Sequence, residues 1–307
     1  LMLGFTIGPL IGGTLTHFSG WRSIFWLNVA LMLGAVTGLA FGGPVARSAA
    51  HTPGRMRDWA GFALLAIFMV SLVFALHVLP NAAQESAVAI APFAVAAVAL
   101  ILLLKVELRV EAPLSDVRFL AQRASAMGIV VASLSMMSIM SMLLYYNLYA
   151  QSPEGLRLTA LEAGLSLLPL CVALPVVAMS ASSVTKRIGV RAGITMGMLL
   201  LVLGSATLGA GASSGALALL GIGLFLFGAG LALPYATGPQ IALSALSPRQ
   251  TGQGSGMINA CTFLGGSVGV AIGAIAFARG GFIGVLAMLG LIGALGLAAS
   301  RLIPRTA

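Results

Sequence analysis

Charged side chains are scarce in this sequence. Only 7% of its 307 residues are Asp, Glu, Lys or Arg, whereas a soluble globular domain carries roughly 25%. So few charges cannot cover a water-exposed surface, which excludes an ordinary soluble enzyme. Intrinsic disorder is excluded as well, because it requires low hydrophobicity and 59% of these residues are hydrophobic. The composition predicts an integral membrane protein.

Cysteine and histidine are also rare. The chain has two cysteines and three histidines, and no spacing among them resembles a zinc or redox site. The glycine-containing stretches 209–211 and 228–230 follow no predicted strand and no Walker lysine accompanies them, so they do not indicate a nucleotide site. The sequence therefore predicts no catalytic residue, no metal ion and no cofactor.

The positive charge of the chain, +9 in total, does not resemble a nucleic-acid-binding surface. Nucleic-acid binders concentrate Lys and Arg on one folded face, whereas these cations fall in small groups between apolar runs. Alternate loops differ sharply in their Lys and Arg content, which predicts that the richer set is cytoplasmic. That set holds Arg47, Arg55, Arg57, Lys105, Arg109, Arg118, Arg123, Lys186, Arg187, Arg191, Arg249, Arg301 and Arg305, against Arg22, Arg157 and Arg279 in the other set.

Long uncharged runs predict the number of membrane spans. A spanning helix needs about 20 apolar residues, and nine runs are long enough. One of them, 192–248, is interrupted by a turn-forming cluster at 211–215 and holds two helices. We therefore predict an all-α integral membrane protein with ten transmembrane helices, both chain ends being cytoplasmic. The predicted centres are residues 9, 33, 69, 96, 137, 173, 201, 226, 265 and 291.

The first predicted span carries a distinctive glycine pattern. It contains Gly4, Gly8, Pro9, Gly12 and Gly13. Glycines that recur every four residues share one helical face, and such a face lets a second backbone approach closely within lipid. A packing seam with a proline kink accounts for the pattern. The doubled spacing, the Gly-Pro pair and the closing Gly-Gly together are, however, more specific than a single Gly-x3-Gly motif.

The pattern resembles the antiporter motif, Gly-x3-Gly-Pro-x2-Gly-Gly, of the 14-span drug/proton antiporter family within the major facilitator superfamily. The resemblance continues at 20–29, 58–61, 145–151, 163–169 and 252–273. It implies that the chain corresponds to spans five to fourteen and begins within a longer protein. The implied organisation has the last two spans of an N-terminal bundle at 1–42, connectors and two inserted spans at 43–123, and a C-terminal six-helix bundle at 124–307.

The resemblance implies a proton-coupled efflux transporter of drugs or other small amphiphilic compounds, spanning a lipid bilayer, with a bacterial inner membrane expected. Its implied partners are the substrate and protons, and the sequence leaves open whether a periplasmic adaptor protein binds. A metabolite or siderophore exporter on the same scaffold and a truncated, non-transporting membrane polypeptide are alternatives. A membrane enzyme is a more distant one, since catalytic residues are lacking.

Several polar residues are candidates for a gate or a substrate path. The resemblance implies this role for a set of side chains near the outer ends of the helices and for one amide within a span, namely Arg22, Asn28, Tyr145, Asn147, Gln151 and Asn259. The tyrosines also fit an aromatic belt at the membrane surface. Asn259 has no polar neighbour in its own run and is expected to be buried and to bond across helices. At the positions where the family often carries an Arg-Gln pair, this chain has Thr262 and Phe263.

The predicted cytoplasmic ends carry the remaining candidates. Asp58 precedes an apolar run, where a helix N-cap is the favoured explanation and a functional role is the alternative. Lys186, Arg187 and Arg191 resemble a degenerate second copy of the family's cytoplasmic loop motif, and topological anchoring explains them equally well. Thr159 and Glu162 form a predicted capping box.

Overall fold

A computed structural model of the chain describes residues 2–41, 59–78, 86–109, 122–244, 246 and 251–303. Within these ranges all regular secondary structure is helical, which confirms the predicted fold class. The helices are α1 (Met2–Ser19), α2 (Ser23–Phe41), α3 (Trp59–Val78), α4 (Ser86–Arg109), α5 (Arg123–Gln151), α6 (Ala160–Ser166), α7 (Leu168–Ile188), α8 (Val190–Ser214), α9 (Leu217–Ser244) and α10 (Thr251–Ser300).

A helix covers each of the ten predicted span centres. In α10 two centres fall within one element, but Gly280 (φ −139°, ψ 18°) and Gly281 (φ 55°, ψ −151°) are not helical and divide it into two helices. Length and composition make six helical stretches of the described chain long and apolar enough to cross a membrane: Ser23–Phe41, Arg123–Gln151, Ala160–Ile188, Val190–Ser214, Leu217–Ser244 and Gly254–Ser300. The number of ten crossings stays a prediction.

The helix ends follow from local chemistry. Thr159 caps α6, and its hydroxyl accepts a hydrogen bond from the backbone N–H of Glu162 while the Glu162 carboxylate accepts one from the backbone N–H of Thr159. This confirms the capping box. The sequence predicts a turn at 211–215. In the structure α8 continues through Ser214, and only Gly215 (φ 70°), the last residue of that range, ends the helix. A left-handed glycine is a common helix terminator.

The core lies among α5, α7, α8, α9 and α10. Some of these helices approach one another backbone to backbone. A Cβ added to Gly128 of α5 would lie 2.6 Å from the Gly238 carbonyl oxygen of α9, and one on Gly197 of α8 would lie 2.6 Å from the Gly230 carbonyl oxygen of α9. Helices in lipid associate through such close contacts because burial from lipid supplies no hydrophobic gain. The glycines of these spans therefore determine which helices can be neighbours.

The first four helices contribute less to this core. No residue of α2 is buried, and α1 packs on α6 and α7. Helices α3 and α4 pack mainly on each other, with α3 also touching α10. A cavity remains between α3 and the bundle, and it forms part of the candidate site.

Candidate transport site

The motif in α1 meets the C-terminal helices through its last glycine. Gly13 is buried, and a Cβ added to it would lie 2.8 Å from the Ala160 carbonyl oxygen. A Cβ added to Gly164 of α6 would lie 2.8 Å from the Pro9 carbonyl oxygen. One glycine on each helix therefore brings the two backbones together.

No described residue makes the close approach predicted at Gly4, Gly8 and Gly12, which stays a prediction. A Cβ added to any of the three would have no described atom within 4 Å outside its own helix. The three glycines do share one face, as their spacing requires. The contact with α6 is made by Gly13 instead. Gly13 is rotated by about 100° around the helix from Gly12, so it lies on a different face.

An aromatic cluster occupies the end of the bundle where α5 ends. Tyr145 stacks on Phe277 with 5.5 Å between ring centroids, and Tyr149 stacks on Phe282 at 4.6 Å. The Tyr146 hydroxyl donates a hydrogen bond to the Ser166 hydroxyl over 2.9 Å. Tyr145 and Tyr146 are only 4% and 1% exposed. The aromatic-belt interpretation is therefore wrong for these two tyrosines, which join α5 to α6 and α10.

The amides at the end of α5 bond within their own helix. Asn147 Nδ2 donates to the Leu143 carbonyl oxygen over 2.9 Å, and Gln151 Nε2 donates to Asn147 Oδ1 over 3.5 Å. Asn147 is half-buried and Gln151 is exposed. These bonds orient the two amides along one face of α5, but their part in a substrate path stays a prediction.

Arg22 lies at the connection from α1 to α2, and Asn28 lies in the second turn of α2. The Arg22 guanidinium carbon lies 4.8 Å from the centroid of the Trp21 ring, a cation–π contact. Both Arg22 and Asn28 are exposed. The structure does not bring them together with the amides of α5, and their predicted gate role stays a prediction.

Asn259 does not occupy the predicted buried position. Its side chain is exposed, and it makes no hydrogen bond to another described residue. The interior of this turn is filled instead by Ile258 and by Thr262, whose hydroxyl donates to the Ile258 carbonyl oxygen over 2.7 Å. Asn259 precedes Phe263 by four residues, so the two side chains share one face of α10.

That face leads into an apolar cavity of about 370 Å³ between α3, α5 and α10. This volume lies within the range of small-molecule pockets, about 300–1,000 Å³. Gly266 leaves room at the cavity wall, because a Cβ there would lie 3.0 Å from Met140 Cγ. The lining residues are Val73, Leu76, Met140, Phe263, Gly266, Ser267, Val270, Ala271 and Ala274, none of them charged.

Sequence reasoning missed most of this lining. Val73, Leu76 and Met140 belong to uniformly apolar helices, where no pattern separates a cavity-facing residue from a lipid-facing one. Phe263 carried the one available signal, because it stands where the family often has a polar residue. In the structure Phe263 lies in the uncharged wall of the cavity.

The cytoplasmic-loop candidates lie at the junction of α7 and α8. Lys186 and Arg187 are exposed in the last turn of α7, and Arg191 is half-buried in the first turn of α8. Gly189 makes the junction with a φ of 84°, a conformation that favours glycine. Asp58 lies outside the described residues. No group of His, Cys, Asp and Glu within the described ranges is arranged to hold a metal ion.

Comparisons with known proteins agree with this membrane architecture. A family model described as Major Facilitator Superfamily matches residues 1–270. Multidrug resistance protein Stp of Mycobacterium tuberculosis is 30% identical over 271 residues, which are 88% of this chain and 49% of that protein. The Tetracenomycin C resistance and export protein of Streptomyces glaucescens is 28% identical over 270 residues, 86% of this chain and 48% of that protein. The chain therefore spans about half the length of these curated relatives.

Proposed function

This chain belongs to the Major Facilitator Superfamily, and we propose on that basis that it is part of an exporter of drugs or other small amphiphilic compounds. Membership makes it a multi-pass membrane transporter rather than an enzyme. The relatives named above are resistance and export proteins of bacteria, which supports efflux across a bacterial cell membrane.

The observation that carries the proposal is the apolar cavity between α3, α5 and α10. Its walls are mainly apolar, so a ligand would bind largely through apolar surface rather than through a fixed set of hydrogen bonds. Met140 supplies a flexible, polarizable wall that adapts to different shapes, and Phe263 offers an aromatic face that attracts a cation or a flat ring. Such a lining favours a broad set of amphiphilic compounds over one polar metabolite.

Two polar groups next to this cavity would orient the ligand. Ser267 lines the cavity one turn after Phe263, and its hydroxyl donates only a 3.3 Å bond to the Phe263 carbonyl oxygen. Asn259, one turn before Phe263, presents an exposed amide on the same face of α10. We propose that the apolar part of the substrate lies against Phe263 while these two groups contact its polar part.

Proton coupling and alternating access belong to the same proposal. The resemblance of α1 to an antiporter motif supports them, and so does its backbone contact with α6, which ties two parts of the chain that alternating access would move. Proton carriers in membranes are usually embedded acids. The acids whose side chains the structure describes, Glu154 and Glu162, are exposed near helix ends. We therefore place the proton carrier outside the described residues.

A thiol-protection experiment tests the proposed site in the chain itself. Cys171 and Cys261 are replaced by alanine, and Ser267→Cys then places one thiol at the cavity. Tetraphenylphosphonium, an amphiphilic cation, should slow labelling of this thiol by a membrane-permeant maleimide. It should leave labelling unchanged at Ser213→Cys, a thiol at the exposed end of α8. Unchanged labelling of Ser267→Cys at saturating cation would contradict the site.

A matched pair of aromatic substitutions then tests the lining. Phe263 and Phe225 are equally exposed, at 48% each, but Phe225 lies on α9 away from the cavity. Phe263→Ala should weaken tetraphenylphosphonium binding by about fivefold, since one aromatic contact contributes about 1 kcal/mol. Phe225→Ala should leave binding unchanged. Equal effects of both substitutions would show that the cation binds elsewhere.

A further inference from the structure

A second cavity, of about 840 Å³, lies at the end of the bundle where α7, α8 and α10 meet. It is distinct from the apolar cavity and opens between the first turns of α8 and the last turn of α10. Two arginines line it, Arg191 from α8 and Arg301 after α10. The predicted topology places this end on the cytoplasmic side of the membrane.

The two arginines of this cavity have no partner among the residues that the structure describes. Neither guanidinium makes an ion pair or a hydrogen bond to another residue in the described part of the chain. The two acids whose side chains the structure describes are Glu154 and Glu162. Glu154 follows the end of α5 and Glu162 lies in α6, just before α7, so neither lies near the end of α7 where this cavity opens. Two guanidinium groups in one cavity, with no carboxylate among its described lining residues, favour an anion, and their planar donors match the oxygen atoms of a phosphate.

Two hydroxyl groups lie at the cavity wall beside the arginines, and their protons are used within the protein, toward the Arg191 and Leu297 carbonyl oxygens. The hydroxyl oxygens of Thr195 and Ser300 lie 2.9 Å apart, which joins α8 to α10 at the cavity wall. Both residues line the cavity. The N-cap of α8 is Gly189, which has no side chain to satisfy the first N–H groups of the helix. The positive end of the α8 dipole therefore adds to the charge of the arginines.

The rest of the cavity is apolar and faces outward. Met196 and Leu199 continue along α8 from the arginine end and are 39% and 48% exposed, and Leu297 of α10 lies beside them. A ligand that fits both parts has an anionic head and a hydrocarbon tail. We propose that this cavity binds an anionic phospholipid, with its phosphodiester between Arg191 and Arg301 and an acyl chain along Met196 and Leu199.

Fluorescence quenching by brominated lipids tests this proposal. The three tryptophans are replaced by phenylalanine, and Met196→Trp places one fluorophore in the cavity. The 307-residue chain is reconstituted in phosphatidylcholine bilayers with increasing phosphatidylglycerol, either lipid being brominated in turn. Each arginine near the membrane surface contributes about 1 kcal/mol to binding of an anionic lipid, so phosphatidylglycerol should bind about 30-fold more tightly than phosphatidylcholine. A tryptophan at Leu217, on the opposite end of the bundle, should show no preference.

Arginine variants separate this site from general surface charge. Arg191→Gln and Arg301→Gln should each reduce the preference by about fivefold, and the double variant should abolish it. Arg187→Gln removes an equally cationic side chain that does not line the cavity, and it should leave the preference unchanged. An equal loss in Arg187→Gln, or a preference that survives the double variant, would overturn the proposal.

Two measurements on the protein with both arginines intact keep the test independent of how the variants fold. Increasing ionic strength should reduce the phosphatidylglycerol preference, because the interaction is electrostatic. Inorganic phosphate at constant ionic strength should not displace the lipid, since free phosphate lacks the apolar contact with Met196 and Leu199. No preference for phosphatidylglycerol at low salt, or its displacement by phosphate, would show that the cavity is not a lipid site.

Discussion

A single methyl group added to α1 tests how this helix is attached to the bundle. Gly13→Ala would place a Cβ 2.8 Å from the Ala160 carbonyl oxygen and 3.4 Å from the Leu161 Cα, both of them backbone atoms of α6. Gly12→Ala adds the same methyl one residue earlier, where no described atom lies within 4 Å. The two substitutions therefore differ in the contact with α6 alone.

The size of the effect follows from these distances. A methyl group forced into a close-packed contact costs about 1–3 kcal/mol, whereas replacing glycine by alanine within a helix stabilises it by about 0.5–1 kcal/mol. Gly12→Ala should therefore stabilise α1 slightly. Gly13→Ala should weaken its attachment, and the difference between the variants should equal the cost of the contact, about 1–3 kcal/mol.

Amide hydrogen exchange measures this difference locally. Detachment of α1 exposes its own amides, so peptides from residues 2–19 should exchange about 5- to 150-fold faster in Gly13→Ala than in Gly12→Ala. Peptides from α5 should exchange at the same rate in both variants. Gly164→Ala, which adds a methyl 2.8 Å from the Pro9 carbonyl oxygen, should reproduce the effect from the other helix. Equal exchange of α1 in all three variants would refute the backbone contact.

Three further predictions concern stability and topology. Gly269→Ala places a Cβ 2.6 Å from the Met137 carbonyl oxygen and should lower the thermal midpoint in detergent, whereas Gly256→Ala, with open space around it, should not. Thr159→Ala removes the N-cap of α6 and should cost about 1 kcal/mol in a denaturant titration; no change would mean that α6 does not depend on its cap. In intact cells and a cysteine-free background, a cysteine at position 214 should react with a membrane-impermeant thiol reagent and one at 247 should not, and the reverse pattern would contradict the predicted orientation.

The helices and the superfamily could be predicted from the sequence because the signals are strong and local. Uncharged runs of more than 20 residues give the position of each helix, and the structure places a helix at all ten predicted centres. The capping box at Thr159 and Glu162 was equally readable, since it depends on residues three positions apart. The glycine and proline pattern of α1 indicated the Major Facilitator Superfamily, which the match over residues 1–270 confirms, whereas the 14-span type stays a prediction.

The partners of each helical face could not be predicted, because periodicity shows which residues share a face but not what that face meets. Gly4, Gly8 and Gly12 share a face as predicted, yet the contact with α6 is made by Gly13. Asn259 had no polar neighbour in its run and was expected inside, but the structure exposes it beside Phe263. Tyr145 and Tyr146 end a long apolar helix, where an interfacial and a buried position have the same sequence pattern.

The backbone contacts between glycines restrict how this chain can vary over evolutionary time. At Gly128, Gly197 and Gly269 even alanine would displace a neighbouring helix, so substitutions there change the whole architecture rather than the ligand. Phe263 and Met140 contact the cavity through side chains and can change without moving a helix. Under the proposed function, we expect new substrate preferences to arise at such positions, while the glycine contacts keep the helix arrangement constant across variants.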